Sequence, residues 1–154
     1  TFMYKPLRSQ KQNDYLFKRR NKGNLTMASA DKSGILKIQR ALKNSELVGM
    51  LPDQDPGADG GIMAPFFNTK ANTMTLLAKI AKKNDTQVLI FWAKRLPRGK
   101  GYELNLEPVD LNTNGDTLEG HVASMNQCIE ALIRKMPEQY MWSYKRFKST
   151  HSYG

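Results

Sequence analysis

Apolar positions recur along this chain with two periods, and the points where the period changes divide it into elements. Over 32–43, KSGILKIQRALK, residues Ile35, Ile38 and Leu42 fall at i, i+3 and i+7, while Lys37, Arg40 and Lys43 stand outside that stripe. This predicts an amphipathic helix. ELVGMLP, ending at Pro52, reads as a short buried strand, and GGIMAPFF, bracketed by Gly and Pro, as a second extended piece. NTMTLLAKIAKKN, 72–84, opens on capping residue types and sets Met74, Leu77, Ala78 and Ala81 on one helical face, widened by Leu76 and Ile80. TQVLIFWAKRL is the strongest strand pattern; PRGKG turns it toward YELNLEPV, where Tyr102, Leu104 and Leu106 alternate with polar neighbours, so a hairpin is expected. From Asp116 onward Leu118, Val122, Met125, Ile129, Leu132 and Met136 step by three and four along a long helix that ends near Pro137. PEQYMWSYKRF then predicts a short aromatic helix.

Strands alternating with helices, plus one hairpin, give an α/β fold with a mixed sheet flanked by helices. A length of 154 residues suits a single domain over 1–154, and no internal repeat is visible. The opening TFMYKPLRSQ reads as the middle of a strand and lacks an initiator Met, so a fragment of a longer protein is expected. No apolar run reaches the roughly 18 residues that cross a bilayer. The single Cys128 excludes an internal disulfide framework.

Charge changes the picture. The chain carries a formal net charge of +10, and its first 50 residues hold eleven Lys/Arg against three Asp/Glu. Such a surface favours anionic partners: nucleic acid, anionic lipid or an acidic carrier protein. Against that background VGMLPDQDPGADGG is unusual, because it delivers Asp53, Gln54 and Asp55 at what reads as a strand end. Turn chemistry explains Asp, Pro and Gly there, whereas an amide between two acids also suits a crevice outside a sheet.

Several chemistries are not encoded. The only histidines are His121 and His151, neither at a metal-ligand spacing from a second His or Cys, so no metal and no cofactor are expected. His121 reads as a packed structural histidine and His151 as part of a tail. No Ser stands in a nucleophile elbow, and DGGIM lacks the residues of a phosphate loop. A nucleic-acid reader would need aromatics interleaved with cations on an exposed face, and QVLIFWAKRL is too apolar for that.

VGMLPDQDPG, the stretch APFFNTKANTMTLLAKIAKKNDTQVLIFWAKRLPRGKGYELNLEPV, and IRKMPEQYMWSYKRFK together resemble the late acyltransferases of lipid A biosynthesis, the lauroyl and myristoyl transferases of Gram-negative bacteria. The specific pieces are Asp53-Gln54, Pro65-Phe66-Phe67, the Ala71/Thr73 helix entry, Arg95 before Tyr102, and Pro137 to Trp142 leading to Arg146-Phe147-Lys148. The resemblance implies a glycerolipid-acyltransferase-like fold. It also implies transfer of a fatty acyl chain from acyl carrier protein thioester or acyl-CoA to the hydroxyl of an acyl chain on a phosphorylated lipid A precursor, at the cytoplasmic face of the inner membrane. The family works through His-x-x-x-x-Asp/Glu, in which the His is the general base. That motif is missing here, since Asn126 stands five residues after His121; the resemblance therefore puts the dyad, and an anchoring helix, upstream of Thr1, leaving this chain as the substrate-binding part and inactive alone.

By the same resemblance, KRRNKG occupies the block that supplies a phosphate-binding Arg, with Arg19 or Arg20 the candidate; a guanidinium fork holds two phosphate oxygens at once. Asp53 and Gln54 occupy the next block and are expected to orient the cations and hold sugar hydroxyls. In PEQYMWSYKRFK, Trp142 together with Lys145, Arg146 and Lys148 is expected to meet an anionic membrane surface. The alternatives are a nucleic-acid-binding domain and a non-catalytic scaffold of the same fold.

Overall fold

A computed structural model of the chain describes residues 1–7 and 9–150; His151 lies outside them. The fold is mixed α/β and falls into two compact units, Thr1–Leu51 and Pro52–Gly154.

In the first unit β1 (Phe2–Tyr4) pairs in parallel with β2 (Met27–Ser29), Phe2 opposite Met27. A parallel pair needs a crossover. Here α1 (Gln10–Arg20) supplies it, and α2 (Lys32–Lys43) follows β2 directly. Buried Met27, Ala28, Ile38 and Ala41 form the core; of the stripe read from 32–43 Ile38 is buried, while Ile35 and Leu42 are half-buried. Asp31 caps α2, accepting from the Gly34 N–H at 2.9 Å and the Ser33 hydroxyl at 2.8 Å. Hydrogen bonds from Ser29, Gly34 and Ser33 hold its carboxyl down to about 2. Gly34 lies against the Ser29 carbonyl, where a Cβ has no room.

ELVGMLP is not a strand. Only Gly49 bridges to Phe2, its N–H donating to Thr1 O and its carbonyl accepting from Met3 N–H, while Leu47 is 85% exposed. Gly49 fits beside the Phe2 ring because it has no side chain; its neighbours have no second strand to bury them.

The second unit is built on two antiparallel hairpins and a long helix. β3 (Gly61–Phe66) pairs with β4 (Thr69–Met74), and β5 (Val88–Arg95) with β6 (Tyr102–Val109). α3 (Leu76–Asn84) links the hairpins, and α4 (Leu118–Lys135), capped by Thr117, packs on β3. Val122, Met125, Ile129 and Ile133 of α4 meet the apolar interior that includes Ala64, Phe66, Ala71 and Met74. The hairpin at 88–109 and the helix after Asp116 stand where the pattern set them.

Three expectations need correction. The described strands form three separate two-stranded sheets instead of one mixed sheet. Residues 72–74 belong to β4, so the helix starts at Leu76; Asn72 and Thr73 are buried in side-chain bonds that a helix entry would expose. PEQYMWSYKRF makes a 3-10 turn at Pro137–Gln139 followed by irregular turns, not a helix, because its side chains are committed to the bonds described next.

Candidate functional site

The second unit concentrates its buried polar groups around the acid loop. Asp53 is half-buried in a turn, Gln54 is exposed, and Asp55, to which the sequence assigned no role, is 5% exposed. Asp55 precedes Pro56-Gly57, and its Oδ1 accepts from the Gly57 N–H at 2.8 Å, a local turn that Asp-Pro-Gly encodes. The same oxygen accepts from Asn72 Nδ2 at 3.1 Å, and Oδ2 accepts from the Ser149 hydroxyl at 2.7 Å. Lys148 Nζ stands 3.8 Å away. Burial acts to raise the carboxyl's pKa, but the bonds from Ser149, Gly57 and Asn72, with the charge of Lys148, outweigh it and hold the group below its ordinary value.

Arg146 forms the second half of this network. The sequence sets it among cations facing lipid; the structure buries it to 2% exposure, which overturns that role for this side chain. Its Nη1 donates to the Asn72 carbonyl at 2.6 Å, its Nη2 to Thr73 Oγ1 at 2.8 Å, and the guanidinium lies 5.0 Å from the Phe66 ring centre. Burial lowers its basicity, with Tyr140, Tyr144, Asp55 and Asp53 opposing; a guanidinium stays charged there. Thr73 Oγ1 also accepts from Asn126 Nδ2, which donates to the Pro65 carbonyl as well. Asn126, five residues after His121, thus bridges β3 and β4.

These bonds fasten residues 144–150 to the β3–β4 hairpin: Tyr144 Oη accepts from the Asp55 N–H at 2.8 Å, and Thr150 donates to the Lys70 carbonyl at 2.7 Å. A cleft of about 370 Å³ opens beside them, walled by Phe66, Phe67, Tyr140, Trp142, Tyr144 and Phe147, with Arg146 also lining it. Two of the lining residues each carry a buried polar atom, Tyr140 Oη and Arg146 Nε, that has no hydrogen-bond partner among the described residues. Such atoms cost free energy unless something satisfies them. Of the other residues expected at a membrane, Trp142 is 61% exposed with its indole N–H on the Pro137 carbonyl, Lys145 is exposed, and Lys148 is exposed while paired with Asp55.

In the first unit the two candidate arginines separate. Arg19 lies over the Tyr15 ring at 5.3 Å, whereas Arg20 lines a smaller cleft of about 110 Å³ with Lys5, Tyr4, Asn13 and Phe17. α1 itself was not read from the sequence, since its run QKQNDYLFKRR buries no residue and so carries no apolar stripe.

His121 is 4% exposed on α4, its Nε2 2.8 Å from Asn112 Oδ1 and 3.1 Å from Asp116 Oδ1. It ties the 110–116 loop to the helix, as a structural histidine does. No group of three or more metal-ligating side chains occurs among the described residues, and none of their helices is long and apolar enough to cross a membrane.

A family profile described as bacterial lipid A biosynthesis acyltransferase matches residues 1–149. The chain is 34% identical over 120 residues to the lipid A biosynthesis lauroyltransferase of Escherichia coli K12, covering 77% of this chain and 39% of that protein. It is 34% identical over 115 residues to the lipid A biosynthesis palmitoleoyltransferase of the same organism, covering 73% and 37%. A lipid A biosynthesis acyltransferase of Haemophilus influenzae is 30% identical over 113 residues, covering 73% and 35%. The chain spans between 35% and 39% of the length of these relatives.

Proposed function

The chain belongs to the bacterial lipid A biosynthesis acyltransferase family, and from that premise we propose that it is the substrate-binding part of an enzyme moving a fatty acyl group. The donor is an acyl carrier protein thioester or acyl-CoA. The acceptor is the hydroxyl of an acyl chain on a phosphorylated lipid A precursor, met at an anionic membrane surface. The general base stands outside these 154 residues: His121, the one described histidine, is held by Asn112 and Asp116, and the residue five positions after it is Asn126, which is not an acid.

The carrying observation is the aromatic cleft. Its volume of about 370 Å³ lies within the roughly 300–1,000 Å³ of small-molecule sites. Its walls are apolar rings, suited to an acyl chain. Tyr140 and Arg146 line it, and their Oη and Nε–H, buried in its wall and unpaired, are the groups a ligand oxygen such as an ester carbonyl or sugar hydroxyl would satisfy on a small shift of these side chains. Asp53, whose charge raises the Tyr140 pKa after burial does, and the neighbouring Gln54 supply further polar groups. Arg20, lining its own cleft beside Lys5, is the better candidate for a phosphate of the acceptor than Arg19, which is stacked on Tyr15.

The test is acyl transfer by the complete protein carrying Tyr140→Phe. Because that hydroxyl has no partner to lose, stability should hold while KM for one substrate rises about fivefold to tenfold, the worth of one hydrogen bond of about 1–1.5 kcal/mol. Unchanged kinetics would remove the cleft from the reaction. Absence of acyl transfer by the unsubstituted complete protein would overturn the function itself.

A further inference from the structure

The β5–β6 hairpin has one face that nothing among the described residues covers. Directly opposed residues of an antiparallel pair share a face, so the register puts Leu89, Phe91 and Ala93 with Pro108, Leu106 and Leu104 on one side. On that side Leu89 is 45%, Phe91 55%, Leu104 69% and Leu106 64% exposed. The opposite side differs: Val88, Ile90 and Trp92 are half-buried, and Lys135 of α4 lies 5.5 Å from the Trp92 ring and 3.4 Å from Glu107. A row of large exposed aliphatic side chains is not what a solvated hairpin shows; such patches mark contact surfaces.

Charge identifies the occupant. The last opposed pair on the apolar face is Arg95 with Tyr102, and the connection beyond it holds Arg98 and Lys100, all exposed. The hairpin's two acids, Glu103 and Glu107, face the other way, paired in register with Lys94 and Ile90. Apolar bodies ending in Tyr, Arg and Lys, with no carboxylate on that face, match the boundary between acyl chains and anionic head groups. A nucleic-acid surface would present stacking rings in succession, whereas this one presents leucines.

We propose that the β5–β6 hairpin lies on an anionic lipid bilayer, with Leu89, Phe91, Leu104 and Leu106 entering the acyl boundary and Arg95, Arg98 and Lys100 meeting head-group phosphates. This element differs from the C-terminal segment expected from sequence to face lipid, and the proposal is independent of acyl transfer. Only part of the hairpin enters, because the Trp92 face is engaged with α4.

The experiment uses the complete protein with its native cysteines, Cys128 among them, replaced by Ala, labelled with bimane at either Leu104→Cys or Glu103→Cys, and mixed with vesicles of phosphatidylglycerol or of phosphatidylcholine. A Leu104 label that is already blue-shifted and unmoved by lipid shows the face covered by the rest of the protein and overturns the proposal. The Leu104 label should shift to the blue with phosphatidylglycerol alone, and the Glu103 label should not. In unlabelled chain, Arg98→Glu with Lys100→Glu should reduce cosedimentation with phosphatidylglycerol at least tenfold, and Leu104→Asn with Leu106→Asn should do the same. Equal response of both labels, or vesicle binding indifferent to both pairs, overturns the proposal. So does a Leu104 shift that appears with rising protein concentration without lipid, which assigns the face to a second copy, or one produced equally by a single-stranded oligonucleotide.

Discussion

At Asp55 a carboxylate is 5% exposed among donors from Gly57, Asn72 and Ser149. Its removal takes the side-chain acceptor from the Gly57 N–H and one of two acceptors from Asn72, which keeps the Gly57 carbonyl, while Ser149 is exposed to water. Asp55→Ala should therefore lower stability by about 1–3 kcal/mol, the cost of a stranded buried group. Asp59→Ala, at an exposed turn position, should stay within about 0.5 kcal/mol. The pH dependence has a definite sign. The folded value lies below the ordinary 3.8, so the unfolded chain takes up the proton first. The stabilisation is complete above the ordinary carboxylate value and is lost as pH falls below it and through the lower folded value. Urea unfolding at pH 7 and again at progressively lower pH checks this: the gap between wild type and Asp55→Asn should narrow on acidification. A gap that is constant with pH would mean that the charge contributes nothing.

Among the elements, those whose signal was a long period were legible and those held by particular side chains were not. α4 and the 88–109 hairpin stand as their patterns predict, because eighteen residues of stripe and eight-residue alternating strands each specify a face. β4 reads as a helix entry because Asn72 and Thr73 are capping residue types; its extended form depends on Asn72 and Thr73 reaching Asp55, Arg146 and Asn126, partners up to 74 positions away. Distance in sequence hides such bonds. The same applies to Arg146, whose neighbours Lys145 and Lys148 make a cationic run look uniformly solvated. Gly34 shows how one position sets an element: α2 approaches β2 closely enough that its Cα lies against the Ser29 carbonyl. Gly34→Ala gains helix propensity but forces the helix off the strand, and should cost about 1–3 kcal/mol overall. Circular dichroism across a urea titration reads the result; a stabilised variant would mean that the helix shifts freely.

For the whole chain the decisive property is the net charge of +10. A positive field raises the encounter rate with an acidic partner and acts less on final affinity, and salt screens it over a Debye length of about 10 Å at 0.1 M. If an acidic carrier protein delivers the acyl group, kcat/KM of the complete protein should fall by roughly tenfold or more between about 0.05 and 0.5 M salt. An acyl thioester of uncharged pantetheine carries no such field and should lose little over the same range. The contrast isolates the donor, because the acceptor, with its phosphates, is common to both assays and its salt dependence divides out of the ratio. Substituting Lys18 and Lys22 by Gln should flatten the carrier-protein slope and leave the pantetheine slope in place, since both lie in the basic first 50 residues and neither belongs to the Arg20 cleft. Parallel slopes for the two donors would show that the charge serves the acceptor or the membrane, and acyl carrier protein would lose its claim as the electrostatically steered partner.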